Sequence, residues 1–239
     1  MLAVYKKEIK MFFYTMEAYV AISVFFTINS LILWYIPSEF NIFYNNEATL
    51  LPFFLIAPWV LLLLIPAITM KMISSEFTHR TNLILLTKPI KVWQIIIAKF
   101  LASFTIGLAS ILPSLIFVYS IYQISNPKGN IDQGELIGSY LGIIMITGLY
   151  SAIGLFCSSL SKNSMINFIT TIMIILLMYL GFEILGQKYH FSLLKYLSIQ
   201  DHYKSIKRGI IDSKDIIYFT SMIICFLYFS IIATKNKKA

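Results

Sequence analysis

Apolar residues in this chain run in blocks, each closed by a short polar stretch, and do not alternate with polar ones. A helix needs about 20 mainly apolar residues to cross a hydrocarbon core roughly 30 Å thick. Six blocks reach that length: Ala18 to Ile36, Pro52 to Met70, Trp93 to Tyr122, Leu136 to Leu160, Ser164 to Leu185 and Ile216 to Ala233. The expected class is an all-α membrane protein with six transmembrane helices. The third block is too long for one straight crossing, so Gly107 and Pro113 are expected to interrupt it as a kink or partial re-entry. Pro58 and Pro66 are expected to do the same to the second.

Ahead of the first block, Leu2, Tyr5, Ile9, Phe12, Phe13 and Met16 fall within an arc of about 100° on a helical wheel, with Val4 and Met11 outside it. Lys6, Lys7, Lys10 and Glu17 lie opposite. The pattern predicts an amphipathic interfacial helix over 1–17; a plain basic flank that orients the first span is the alternative. A signal peptide also begins with lysines and an apolar run, but this run is too long and no small-residue cleavage site follows it, so it reads as a retained span.

Six spans place both termini on one face, with Lys6, Lys7, Lys10, the Lys71 to Lys99 region, Lys162, Lys235, Lys237 and Lys238. The positive-inside rule makes that face cytoplasmic. The 37–51 loop has Glu39 and Glu47 and no basic residue, as an outer loop should. The 186–215 connection disagrees, carrying Lys188, Lys195, Lys204, Lys207, Arg208 and Lys214 although six spans put it outside. Its apolar positions, including Leu194, Leu197, Ile199, Tyr203 and Ile206, predict short helices on the outer surface.

Composition supports the membrane reading. Hydrophobic residues make up 58% and charged residues 13%, with a mean hydropathy of +0.78; in soluble domains roughly a quarter of residues are charged. The net charge of +8 would suit nucleic acid, but the bases cluster at the ends of apolar runs. That placement serves orientation and anionic headgroups. Cys157 and Cys225 lie inside apolar runs and give neither a disulfide framework nor metal-ligand spacing. Gly138 with Gly142, Gly148 with Ala152 and Gly154 with Ser158 set small residues four apart on the fourth block, for close packing within the chain or at a dimer seam.

Little catalytic chemistry is legible. No G-x-x-x-x-G-K-[ST], H-E-x-x-H or G-x-S-x-G occurs, and His79, His190 and His202 stand apart in polar connections, where they read as solvated. No catalytic, metal or cofactor residue is expected. Ionisable residues at membrane depth are the usual functional pointers. Glu183, near the outer end of the fifth block, is the best of these, with Asn29, Asn163 and Asn167 as polar companions. It reads either as part of a path or gate, together with Asn29 and Asn167, or as a boundary carboxylate paired with a loop lysine. Lys71 and Lys99 sit at span ends and are expected to snorkel.

The polar break from Ser74 to Ile90 separates the second and third blocks. Thr81 or Asn82 can cap a short helix there, Leu83 to Leu86 give it an apolar ridge and Pro89 ends it. A helix too small to bury itself suits a soluble partner's groove; a surface-lying connector is the alternative.

Ser75-Glu76 through Thr81, Leu85-Leu86-Thr87-Lys88-Pro89-Ile90 and Trp93 to Lys99 resemble the cytoplasmic motif of ABC-2 type transporter permeases, roughly E-E-x-x-x-G-T-L-E-L-L-L-T-x-P-I followed by a lysine. The match holds at Glu76, Thr81, Leu85, Leu86 and Pro89, and departs at Ser75, Arg80 and Asn82-Leu83. Ala57-Pro58-Trp59, Ile65 to Met70, Val118 to Gln123, Ala152 to Phe156 and Ile199 to Asp212 look more narrowly like permease subunits of gliding-motility-associated ABC transporters.

The resemblance implies one transmembrane domain over 1–239, with an interfacial helix at 1–17, a cytoplasmic coupling loop at 74–92 and an outer helical hairpin at 186–215 before the last span. It implies a bacterial inner-membrane permease, with both termini cytoplasmic and no ATP-binding motif of its own. Its partners would be a separate ABC ATPase subunit holding ATP and Mg, a second permease or a homodimer copy, and membrane lipid, with no nucleic acid. Glu76, Arg80, Thr81, Leu83, Leu85, Leu86 and Pro89 are the implied ATPase-coupling residues. A non-transporting membrane anchor for partner proteins is the alternative.

Overall fold

The computed structural model describes residues 1–45, 48–78, 91–188, 196–209 and 212–236. Their regular structure is all helical. The helices are α1 (Leu2–Tyr14), α2 (Met16–Trp34), α3 (Ile42–Asn45), α4 (Leu51–Thr69), α5 (Ser74–Thr78), α6 (Val92–Ile111), α7 (Leu115–Ile124), α8 (Gln133–Leu160), α9 (Ser164–Leu176), α10 (Phe182–Lys188), α11 (Ile199–Lys207) and α12 (Ser213–Asn236). Five stretches are long and apolar enough to cross a membrane: Leu51–Thr78, Val92–Ile124, Gln133–Leu160, Ser164–Gly186 and Ser213–Asn236. A sixth is reached when α1 and Ala18–Trp34, bent by 69° to one another, count as one pair. The chain is a multi-pass membrane protein.

The bend has a local cause. Thr15 is extended (φ −95°, ψ 151°) between the two helices. Its hydroxyl and its N–H both donate to the Phe12 carbonyl, at 2.8 and 3.2 Å, and so close the end of α1. The face of α1 that meets the protein carries Val4 and Glu8, both buried, with Tyr5, Ile9 and Phe12 beside them. Leu2, Phe13 and Met16 of the expected apolar arc are exposed, on the side turned away from the protein. Val4, outside that arc, belongs to the packed stripe.

The prolines of the second block do not interrupt it: α4 runs continuously through Pro58 and Pro66. Proline has no N–H, so Pro58 leaves the carbonyl four residues earlier without its helical partner. That carbonyl, Phe54 O, accepts from the Tyr203 hydroxyl at 2.6 Å. In the third block the break falls on a 3₁₀ turn at Leu112–Ser114, which contains Pro113. Gly107 lies inside α6 as a packing position, where a Cβ would come 2.6 Å from Thr147 Cγ2 and 2.9 Å from Ile65 Cδ1.

Helix α8 forms the centre of the bundle, with Ile143, Ile146, Leu149, Tyr150, Ile153 and Leu155 fully buried. Asp132 caps it, accepting from the amides of Gly134 and Glu135 at 2.9 and 3.2 Å. Its small residues receive other parts of the same chain. A Cβ on Gly138 would stand 2.5 Å from Ile206 O, and one on Gly142 2.8 Å from Tyr203 Cε2, so α11 lies on the helix backbone. Ile199, Tyr203 and Ile206 form the buried stripe of α11. Gly148 faces Ile223 and Phe104, and Gly154 faces Thr69.

Candidate functional site

The polar break begins with the turn after α4 and with α5, and two sets of side chains hold this root. The first is ionic. Lys99, in the third turn of α6, is only 1% exposed. Its ammonium donates to Glu8 Oε1 at 2.9 Å, Glu76 Oε1 at 2.8 Å and the Met72 carbonyl at 2.6 Å. An ammonium has three protons to donate, and all three are used. Lys7 Nζ completes the group, 4.0 Å from Glu8 and 3.8 Å from Glu76. Two cations therefore face two carboxylates, and the buried charge is compensated. Charges taken out of water without partners cost several kcal/mol each, so such a cluster holds only when nearly complete.

The second set is hydroxylic. Ser158, near the end of α8, accepts from the amides of Ile73 and Ser74 at 3.1 and 3.2 Å and donates to Met70 O at 3.2 Å. It thereby satisfies amides at the start of α5 that no intrahelical carbonyl reaches. Ser74 Oγ spends its proton on Met70 O at 2.7 Å, so Ser164 Oγ, 3.2 Å away, is the donor in that contact. Asn167 donates to Met70 O at 3.4 Å and to Ser161 O at 3.2 Å, and Thr78 reaches the Lys162 carbonyl at 3.0 Å. Residues 70–78 are thus fastened to α1, α6, α8 and the α8–α9 connection at once.

Of the expected coupling residues, Glu76 lies in this cluster; Arg80, Thr81, Leu83, Leu85, Leu86 and Pro89 fall outside the described residues. Lys99 does not snorkel, because three acceptors hold its head inside the protein. Glu8 was not picked out in sequence, although a signal exists. It lies in register with Val4 and Phe12 on the packed stripe of α1, and Lys99 lies on the buried stripe of Val92, Ile96, Ala102 and Ile106. Opposite charges stranded on two apolar stripes ask for each other.

The path residues are not gathered in one place. Asn167 stands at the root, whereas Glu183 is 16 positions further along the same span, about 24 Å at 1.5 Å per residue. Glu183 is 7% exposed and pairs with Lys204 of α11 at 2.5 Å. A π-helical turn, Leu177–Gly181, lies between them. Asn29 is fully buried in α2, donates to Phe25 O at 2.7 Å, and its Oδ1 finds no partner among the described residues. Asn163 caps α9 through Met165 N at 2.9 Å.

His202 is not solvated. Its Nδ1 lies 2.6 Å from Asp215 Oδ1, its Nε2 2.9 Å from Tyr196 O, and its ring stacks on Tyr218 with centroids 4.0 Å apart. His79 and His190 lie outside the described residues. Among the described residues no group of three or more His, Cys, Asp or Glu is placed to hold a metal ion.

The described residues form a multi-pass helical bundle in which residues 70–78, the root of the polar break, are tied to several spans. The chain belongs to the ABC-2 family of transporter proteins, whose family model matches residues 8–196. That domain is the transmembrane component and not the ATP-binding one, and membership implies an ATPase partner and a dimeric arrangement. The match begins at Glu8 and includes Glu76, Lys99, Ser158 and Asn167. No curated protein matches the chain.

Proposed function

We propose that the chain is the permease subunit of an ABC-2 type transporter in a bacterial inner membrane, with both termini cytoplasmic and a separate ATPase that holds ATP and Mg. A second permease subunit, identical or not, completes the assembly. The observation that carries this reading is the double fastening of residues 70–78. The ATPase would grip the 74–92 coupling loop through Leu83, Leu85 and Leu86, with Arg80 and Thr81 at the rim and Pro89 ending the ridge. A push on that loop then arrives at Glu76 and, through Lys99 and Glu8, at α1 and α6. The same push reaches α8 and α9 through Ser158 and Asn167. Close-packed interiors transmit displacement instead of absorbing it, so nucleotide binding shifts the balance between two arrangements of the spans.

In this reading helix α1 is interfacial and α11 belongs to an outer hairpin. Glu183, Asn29 and Asn167 act along the path or its gate. The Ile199 to Asp212 block, which looks like that of gliding-motility permeases, supports a role in a system of that type.

The test is purification from the native membrane in mild detergent, with mass spectrometry of what co-purifies. A stoichiometric subunit bearing a P-loop is expected, and Leu85→Glu with Leu86→Glu should abolish its recovery while membrane insertion is unchanged. Reproducible recovery without any ATPase, from membranes whose other complexes stay intact, would replace the permease by a membrane anchor.

A further inference from the structure

Two connections meet at the end of the bundle opposite residues 70–78, and a buried polar side chain pins each of them. Asn41, only 5% exposed, accepts from the amides of Phe43 and Tyr44 at 2.9 and 3.1 Å and donates to the Ile36 carbonyl at 3.0 Å. It starts α3 and leaves Phe43 59% exposed, with Trp34 packed on its ring at 5.2 Å between centroids. Ser125, 4% exposed, holds the turn after α7. Its hydroxyl donates to Tyr122 O at 3.1 Å and accepts from Gly129 N at 2.9 Å, and Gly129 takes the left-handed backbone (φ 85°) that the turn requires. Asn126 and Asn130 ride on that turn.

Between the two connections lies a cavity of about 460 Å³, within the ~300–1,000 Å³ typical of ligand sites. Its lining is divided: Ile42, Phe43 and Ile124 are apolar, whereas Thr49, Asn126 and Asn130 are polar and uncharged. Among the described residues no charged side chain lines it. The side chains of those three polar residues make no hydrogen bond among the described residues, so their donors and acceptors are open to a ligand. A narrower cavity of about 70 Å³ shares Thr49 and Asn130 with it and leads to Asp132 and Glu135.

We propose that the larger cavity binds an uncharged pyranose sugar, with a C–H face of the ring on Phe43 and hydroxyls on Asn126, Asn130 and Thr49. A sugar hydroxyl both donates and accepts. So do an Asn amide and a Thr hydroxyl, and each contact can therefore form in either sense. A hydrocarbon chain would cover those amides without pairing them, which costs free energy. An anion would meet no ammonium or guanidinium in the lining and two carboxylates behind it. A free saccharide and the headgroup of a glycolipid present the same ring. The inference stands whether or not an ATPase partners the chain.

The test uses the full chain in phosphatidylcholine nanodiscs, free of alkyl glycoside detergents that would compete for the cavity. Saturation-transfer NMR is run with glucose, galactose and mannose at millimolar concentration, and with glucosamine and glucuronate as charged counterparts of the same ring. At least one neutral sugar should receive saturation, more on one ring face than on the other. Phe43→Ala and Asn130→Leu should each weaken its binding about fivefold, the worth of one ring contact or one net hydrogen bond. The melting temperature should not change, because both side chains are exposed. Thr49→Val serves where Asn130→Leu fails to fold. A glycosyl diacylglycerol doped into the discs separates the two sources: displacement of the free sugar assigns the cavity to a headgroup, and no displacement assigns it to a soluble saccharide. Saturation of none of the neutral sugars overturns the proposal, as does unchanged binding in all of the variants. A preference for glucosamine or glucuronate over glucose overturns it too, since the cavity would then select charge.

Discussion

The two ends of the bundle handle buried charge differently. At the root of the polar break, Lys99 is 1% exposed, uses all its protons and joins groups 91 and 23 residues away in sequence. At the α11 end, Glu183 pairs with a lysine whose side chain is 44% exposed. The His202–Asp215 contact there spans only 13 residues. Asp215 Oδ2 and Asp201 Oδ2 are buried without a partner among the described residues. The first arrangement is closed and ties distant elements together. The charge contacts of the second tie α11 to the flanking α10 and α12 and leave acceptors unused, while its long-range fastening, Tyr203 to the Phe54 carbonyl, is uncharged. A closed, long-range cluster suits a joint that must carry force; the other suits a cap.

Breaking the joint should have the largest effect. Lys99→Met leaves Glu8 and Glu76 inside the protein without their central cation. Removing one partner of a buried ion group costs about 3–5 kcal/mol, so a large fall in detergent melting temperature is expected. Replacing Glu8 by Leu and Glu76 by Gln in the same chain should recover most of that loss, because apolar or neutral substitutes for buried charge are often neutral. Under the proposed function transport should stay impaired in this variant, since the ionic tie across α1, α6 and the root of the polar break is gone. Recovery of both stability and transport would show that the cluster serves stability alone.

Changes at the α11 contact come next. Gly138→Val places a side chain where the Ile206 carbonyl already stands, and overpacking of this kind typically costs about 1–3 kcal/mol. Tyr203→Phe keeps the ring against Gly142 but strands the Phe54 carbonyl, which Pro58 cannot serve. An unsatisfied buried carbonyl costs about 1–3 kcal/mol. Thermal unfolding should show both losses, and with Pro58→Ala added the Tyr203→Phe loss should shrink. At the other end, Ser158→Ala removes the acceptor of two amides and should cost about 1–3 kcal/mol by the same principle, together with a drop in ATPase coupling that the α11 variants do not share.

The spans were legible because length and apolarity are local properties. Segments such as Gln133–Leu160 and Ser164–Gly186 needed no knowledge of their neighbours. The prolines of α4 misled because a local rule says that proline breaks a helix, whereas a tyrosine 149 residues away takes the carbonyl that Pro58 frees. Lys99 misled for a related reason. A lysine near a span end reads as snorkelling unless its partners are known, and those partners lie on α1 and α5. His202 stands in a polar stretch of sequence, yet α12 brings Asp215 and Tyr218 against it. The Gly138 and Gly142 stripe announced close approach but not what approaches, and α11 is the answer.

Lys204→Met should have the smallest effect, and it sharpens the contrast. With Lys204 nearly half exposed, its pairing energy is screened, and such pairs contribute about 0–1 kcal/mol. The melting temperature should barely move, against the large fall for Lys99→Met, although each change deletes one ammonium facing a buried carboxylate. Transport separates the readings of Glu183. A carboxylate that acts in the path should respond to losing its lysine with a changed transport rate at unchanged stability. One that only anchors the cap should leave both alone. A loss of stability equal to that of Lys99→Met would erase the distinction between joint and cap and would make the α11 end a second closed cluster.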